Sequence, residues 1–253
     1  MKKILTFLFL TLLSLNTFAE EKTYTQIEDL YGESIVSVNV LKKDGSSYSG
    51  TGFIIDTDGL IATAAHVIKD ALAVNFTFKN GVVSKDANIL AVSSEETIDL
   101  AVLQIPVNNL PYAILGNSSE VKAGQEIIVI GNPRRLQNTI TNGLISQLRK
   151  ISPGVVWQQI SAPISPSSSG SPVFDKQGKV IGIVTSSLKG EGNQNLNFST
   201  PSNYLLDLIK QHNIPFRNFP KVEEKETSFT SKVCAYLKRS CNIVKKGFNA
   251  IFN

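Results

Sequence analysis
Short apolar runs with a period of two, each closed by a turn pair, limit the folds open to this chain more than any other feature. Residues 34–40 set Val36, Val38 and Val40 on one face, and Asp44-Gly45 follows as a turn. Residues 51–55 read as a strand, Asp58-Gly59 as a second turn and residues 60–63 as the next strand. Val74, Phe76 and Phe78 alternate with polar residues ahead of Asn80-Gly81, a strong hairpin signal. Residues 100–105 (LAVLQI) form a short apolar strand. The pattern restarts after a connection at 106–111, with strands predicted at 126–130, 138–148 (broken by Asn142-Gly143), 155–160, 173–174 and 180–184, the last two joined by a turn at 175–178. Two such runs, about 30–115 and 120–200, predict an all-β chain of two lobes, a sandwich or barrel class, not an alternating α/β one. The one helix predicted within this region covers 201–212, with Thr200 as its cap and Pro201 in its first turn. Leu205, Leu208, Ile209 and His212 share its inner face, and His212 stands near the terminal carbonyls.

Both ends of the chain differ from this body. Residues 1–19 carry Lys2 and Lys3, an apolar stretch and Thr17-Phe18-Ala19, the pattern of a secretory signal cleaved before Glu20. The mature chain is then expected outside the cytoplasm, periplasmic or secreted. Residues 213–230 read as a linker and 231–253 as a basic amphipathic helix, with Cys234, Leu237, Cys241, Val244, Phe248 and Ile251 on one face. Three uses are open to it: a membrane surface, a partner helix, or its own domain. Cys234 and Cys241 are the only two cysteines of the 253 residues. In one helix they stand about 10.5 Å apart along the axis, too far to bridge each other, which leaves an intermolecular link in a homo-oligomer as one use for them. The body therefore lacks a disulfide framework or a cysteine metal site. A net charge of +4 does not call for a nucleic-acid partner.

General bases at neutral pH are scarce, since the only histidines are His66 and His212. His66 follows the strand at 60–63, Asp99 precedes the apolar strand at 100–105, and Ser169 lies in the loop SPSSSGSP. A serine hydroxyl is a weak nucleophile without a base. In the order His, Asp, Ser, one of those known for serine-protease triads, His66 would take the Ser169 proton and pass it to the leaving amine. Asp99 would hold the imidazole tautomer and stabilise its charged form. The backbone N–H groups of Ser167 and Ser169 would face the oxyanion.

On these residues the chain resembles the trypsin-like, chymotrypsin-fold peptidases of the HtrA/Deg type. The matching pieces are GTGFIIDTDGLIATAAHVI (50–68), IDLAVLQI (98–105), VIGNP (129–133) with NTITNGLIS (138–146), SAPISPSSSGSPVF (161–174) and GKVIGIVTS (178–186). NFSTPSNYLLDLI (197–209) resembles the strand and helix that close the family's second barrel. The resemblance implies two antiparallel six-stranded β-barrels with the site in the cleft between them. It places the protease domain at 20–212, and the residues after it are too few for the PDZ module of many relatives. It also implies a substrate cleft along Thr185, Ser186, Ser187, Asn197, Phe198 and Ser199, where a protein or peptide substrate adds as a strand. Damaged or unfolded envelope proteins are the substrates it suggests, and neither a metal nor another cofactor is implied. Two positions depart from the family. Ser167 and Ser171 stand where relatives carry glycine, and Ser167 needs a backbone conformation that a Cβ disfavours. Ser168 replaces the aspartate with which zymogen-type trypsins pair a newly freed N-terminus. The rival reading is a catalytically silent scaffold protein with an impaired oxyanion loop and a tail that does the targeting.

Overall fold
A computed structural model describes residues 20–132, 138–187 and 196–220. The predicted signal sequence and the amphipathic tail with both cysteines lie outside these residues. The described part holds fourteen strands in two sheets of seven, with two α-helices.

The first sheet comprises β1 (Ile35–Lys42), β2 (Ser47–Ile54), β3 (Leu60–Ala64), β4 (Ala71–Thr77), β5 (Val83–Ser84), β6 (Asn88–Val92) and β7 (Leu100–Gln104), in the order β5-β4-β1-β2-β3-β7-β6. Among the described residues its outer strands do not pair, so it is a half-barrel. The second sheet comprises β8 (Ile114–Leu115), β9 (Glu126–Gly131), β10 (Thr139–Ser152), β11 (Val155–Ile160), β12 (Pro172–Phe174), β13 (Lys179–Ser187) and β14 (Asn197–Pro201). Here β12 pairs with both β9 and β13, which closes six strands into a barrel, with β8 added in parallel on β13. The all-β class expected from the sequence is thus found, but of the two six-stranded barrels expected only the second lobe closes among the described residues, the first being an open sheet of seven strands.

Side-chain alternation explains how the sheets share a core. Val36, Val38 and Val40 of β1, Ile61 of β3, Phe76 of β4 and Leu103 of β7 fill the inside of the first sheet. Ile127 and Val129 of β9, Ile145, Val173 and Ile181 fill the barrel. The alternate residues of the same strands, Leu100 and Val102 of β7 with Ile128 and Ile130 of β9, meet in a third cluster between the sheets. Strands that are apolar at every position are therefore buried on both faces, which is why these runs do not alternate. Complete burial of Phe53, Phe76 and Phe174 contributes about 2–3 kcal/mol each before side-chain entropy is counted.

Both helices seal the cluster between the sheets. Helix α1 (Tyr24–Tyr31) is not predicted above. Thr23 accepts from the Gln26 N–H while the Gln26 side chain accepts from the Thr23 N–H, a complete capping box. Ile27 and Tyr31 face inward, and Tyr31 stacks on Phe174 at 5.2 Å. Helix α2 (Ser202–Gln211) buries Leu205, Leu208 and Ile209. It starts later than predicted: Pro201 is the cap residue, and the Thr200 hydroxyl donates to the Ile98 carbonyl instead. Strand β10 also departs from expectation, running unbroken through Asn142-Gly143. A Cβ on Gly143 would collide with Ser161 and the Ala162 backbone, so the glycine serves a close approach of chains, not a turn.

Candidate active site
Register places the acid beside the base. Strand β3 pairs antiparallel with β7, with Ala64 opposite Leu100. The next residues outward are then Ala65 and Asp99, and the Ala65 N–H donates to the Asp99 carbonyl (3.0 Å). A short 3-10 turn, Ala65–Val67, carries His66 past the end of β3. The Asp99 carboxylate accepts the His66 backbone N–H at Oδ1 (2.8 Å) and stands 2.6 Å from His66 Nδ1 at Oδ2. The Asp99 side chain is 17% exposed and that of His66 35%. The carboxylate is thus shielded while the imidazole keeps an open side. Asp99 itself has φ +52, a left-handed conformation that aspartate tolerates better than most residues. The segment before it is held from the second sheet, by Trp157 Nε1 donating to the Thr97 carbonyl (2.6 Å) and by Thr200 donating to Ile98 (3.0 Å).

Two successive turns form the Ser169 loop. The Ser168 N–H donates to the Ser165 carbonyl (3.0 Å), with Pro166 second and Ser167, at φ +74, third. The Ser171 N–H donates to the Ser168 carbonyl (3.0 Å), with Ser169 second and Gly170, at φ +87, third. A positive φ at the third position is what a type II turn requires. Barrel strand β13 holds this loop through Gly170 N–H to the Val184 carbonyl (2.7 Å) and Val184 N–H to the Ser171 carbonyl (2.9 Å). Strand β2 holds it from the other sheet through Thr51 N–H to the Ser169 carbonyl (2.8 Å). A Cβ on Gly170 would strike the Thr51 carbonyl and the Thr63 hydroxyl and lie 3.1 Å from the Ala64 nitrogen. The Ser169-Gly170 peptide therefore sits against the end of β3, two residues before His66. Among the described residues no hydrogen bond joins the Ser169 hydroxyl to His66. Such contacts are often long without substrate and tighten when it binds.

Donors in the loop divide sharply. The N–H groups of Ser168, Gly170 and Ser171 are all bonded, and these three residues are buried. Ser167 and Ser169 are partly exposed, and among the described residues their N–H groups have no partner. The Ser171 hydroxyl is buried without a partner, packed where a Cβ on Gly131 would otherwise fall.

The remaining predicted site residues lie on β13 and β14. Thr185 is buried, 3.3 Å from the Thr200 hydroxyl. Ser186 and Ser187 pair with Phe198 and Asn197. Asn197, Phe198 and Ser199 are buried: Asn197 donates to the Ala162 carbonyl, Phe198 packs on Trp157 and Ser199 donates to Gln158. Their side chains thus contact β11 and the residues just after it, while the backbone of β14 pairs with β13. Among the described residues the other edge of β13 pairs with no strand beyond Ile183, where β12 begins. A cavity of about 480 Å3 opens beside His66 and Asp99, with Ile68, Ile89, Val92 and Glu96 in its walls. Sequence reasoning passed over it because β6 was not predicted; its walls Ile89 and Val92 lie on opposite sides of a register shift between Ile89 and Ala91, so no regular alternation marks them. His212 ends α2 as expected, with its backbone N–H donating to the Leu208 and Lys210 carbonyls, but the residue is exposed and does not share the buried face of Leu205, Leu208 and Ile209. Among the described residues no group of three His, Cys, Asp or Glu side chains is placed to hold a metal ion.

Comparison with known proteins agrees with this architecture. The family model of the trypsin-like peptidase domain matches residues 50–183. A protein named "Probable periplasmic serine endoprotease DegP-like" from Halomonas elongata is 34% identical over 166 residues, which are 64% of this chain and 34% of that protein. Its namesake from Chlamydia muridarum is 37% identical over 158 residues, 60% of this chain and 31% of that protein. The chain thus spans about a third of the length of these curated relatives. Among solved structures, the HtrA-type protease AlgW with a tripeptide superimposes with a TM-score of 0.67 at 28% identity, covering 75% of this chain and 63% of that one. The serine endoprotease from Yersinia pestis does so with a TM-score of 0.66 at 28% identity, covering 76% and 67%.

Proposed function
This chain belongs to the trypsin-like peptidase family, with HtrA and DegP proteins among its relatives, and from that premise we propose that it is an exported serine endopeptidase. The observation that carries the reading is the division of donors around Ser169: two N–H groups open on either side of Ser168, with a His66–Asp99 pair bonded at 2.6 and 2.8 Å beside the same loop.

The chemistry follows from these positions. Asp99 accepts at Nδ1 and so leaves the lone pair of neutral His66 on Nε2. That nitrogen removes the Ser169 proton as the hydroxyl oxygen attacks the scissile carbonyl. The oxyanion is stabilised by the Ser167 and Ser169 N–H groups, which need no reorganisation because their neighbours are already bonded. The imidazolium then protonates the leaving amine, the peptide C–N bond breaks, and an acyl ester on Ser169 remains. Water, deprotonated by His66, hydrolyses the ester and restores the serine. No step needs a metal or cofactor. The open edge of Thr185, Ser186 and Ser187 suits a protein or peptide substrate added as a strand; that the related AlgW was solved with a tripeptide fits a peptide substrate. The periplasmic names of relatives support export.

A fluorophosphonate probe tests this reading, since it reacts only with a serine that has both a base and an oxyanion site. Labelling of the wild type is expected, with loss in Ser169→Ala and a drop of at least about a thousandfold in rate for His66→Ala. A folded wild type that neither labels nor cleaves an unfolded protein overturns the reading in favour of a silent scaffold.

A further inference from the structure
We propose that the hydroxyls of Ser49 and Thr51, both on β2, are positioning residues that hold Ser167 in its left-handed conformation and so aim its N–H at the oxyanion. The proposal rests on the endopeptidase reading above and deepens it.

The 167–168 peptide is fixed at both ends: its carbonyl accepts from Thr51 Oγ1 (2.8 Å) and its N–H donates to Ser165 (3.0 Å). The 168–169 peptide is held by its carbonyl, which accepts from the Ser171 N–H. The 169–170 peptide is fixed at both ends by Thr51 N–H and the Val184 carbonyl. Of the peptides from Ser165 to Pro172 only 166–167 has neither atom bonded among the described residues, and it carries the Ser167 N–H. Its direction is therefore set by the φ of Ser167 together with the ψ of Pro166. At +74° that φ is unfavourable for a residue with a Cβ. Relaxation to a negative φ, with ψ of Pro166 turning in compensation, would rotate this one peptide and carry the donor away without breaking a hydrogen bond between backbone groups of the loop.

One contact opposes that rotation directly and a second fixes the frame in which it turns. The Ser167 hydroxyl and the Ser49 hydroxyl are 2.9 Å apart. Thr51 grips the next carbonyl, and the direction of its proton is forced. Thr51 Oγ1 accepts the Asn132 N–H (3.0 Å), which leaves its own proton for the Ser167 carbonyl. Thr51 is fully buried, its carbonyl accepts from the Thr63 hydroxyl (2.7 Å), and its N–H holds Ser169. One residue of the first sheet thus holds the loop on both sides of Ser168. A serine at 167 supplies a hydroxyl for Ser49 to hold, which glycine does not.

The test uses the full chain with Thr51→Val, Thr51→Ser, Ser49→Ala, Ser167→Gly and the Ser49→Ala/Ser167→Gly double variant. Each is assayed for kcat and KM on a peptide substrate and for affinity toward a peptide boronate, whose oxygen occupies the oxyanion site only after Ser169 adds to boron. Loss of a whole oxyanion donor costs roughly a hundred- to a thousandfold in kcat. A misaimed donor should therefore lower kcat for Thr51→Val by about thirtyfold, with KM within about threefold and boronate affinity falling in parallel. Thr51→Ser should restore both to within about threefold of the wild type, and Ser49→Ala should lose about fivefold. In the Ser167→Gly background the Ser49 substitution should cost nothing further, because its partner is gone. Unchanged kcat and boronate affinity in Ser49→Ala and in folded Thr51→Val overturn the latch while leaving the endopeptidase intact. So does a rise in KM alone. If Thr51→Val fails to fold, Ser49→Ala decides by itself. A wild type without fluorophosphonate labelling overturns both.

Discussion

The two turns around Ser168 share a geometry and solve it with different residues. In the second, residues 168–171, the third position is Gly170 at φ +87. In the first, residues 165–168, it is Ser167 at φ +74. Backbone energy alone favours glycine at both. The neighbours separate them. At Gly170 a Cβ has nowhere to go, because the Thr51 carbonyl, the Thr63 hydroxyl and the Ala64 nitrogen already occupy the space. At Ser167 the side chain is partly exposed and meets a hydroxyl partner in Ser49. Glycine is thus imposed at one turn by packing, while at the other it is only one of two ways to make the turn.

Three substitutions probe this contrast, taken from the largest expected effect. Gly170→Ala combines an unfavourable φ with overlap against backbone and should destabilise the domain by about 3 kcal/mol or more. The urea midpoint measures this, and fluorophosphonate labelling should disappear with it. A loss below about 1 kcal/mol would show that the loop gives way and that packing does not impose the glycine. Next, Ser167→Ala keeps the Cβ at positive φ and removes the hydroxyl, for a loss of about 1 kcal/mol. Ser167→Gly removes the same hydroxyl but relieves the backbone, so its stability should stay within about 0.5 kcal/mol of the wild type. Equal losses in the two variants would mean that the left-handed conformation carries no cost at this site.

The smallest effect concerns a turn of a different kind, residues 175–178, in which the positive φ falls at the fourth position, Gly178 at φ +78. Asp175 Oδ1 accepts from the Gln177 and Lys179 N–H groups (2.9 and 2.8 Å). Burial pushes its carboxyl above the usual range, and those two donors only partly offset it. A raised folded-state value means that the protonated form is favoured on folding. Its stabilising contribution is present below the carboxyl's unfolded value and is lost as pH rises through the folded one. Asp175→Asn keeps the acceptor and removes the titration. Its melting temperature relative to the wild type should therefore rise from acid to neutral pH. A constant difference between the two proteins across that range would refute the assignment.

Much of this molecule is written in local pattern. Residues 155–160 were predicted as a strand at the bounds of β11, and Val36, Val38 and Val40 lie inside the first sheet as their alternation implied. Helix α1 was also legible: Thr23 and Gln26 have capping-box spacing, and Ile27 and Tyr31 lie one turn apart. It was passed over because eight residues give little periodicity. Strand β10 was misread as broken because Asn-Gly usually marks a turn. Only the chain crossing at Ser161 and Ala162 shows why Gly143 is there. Thr200 was expected to cap α2 because it precedes Pro201, but the carbonyl of Ile98, in the turn before β7, takes its hydroxyl.

For the site, sequence alone determined which residues were worth weighing. Two histidines in the whole chain, an acid ahead of an apolar strand and a serine in a Gly- and Pro-bearing loop leave few combinations. It also exposed Ser167 as the odd residue. Tertiary structure decided what that oddity means. The bonds of Ser167 to Ser49 and Thr51 span 118 and 116 residues, and the contact of His66 with Asp99 spans 33. No local pattern encodes such contacts, because they depend on the register of β3 on β7 and on how the Ser169 loop lies across β2. Local sequence can state that a left-handed serine is costly; only the partners brought to it by the fold determine whether that cost is met.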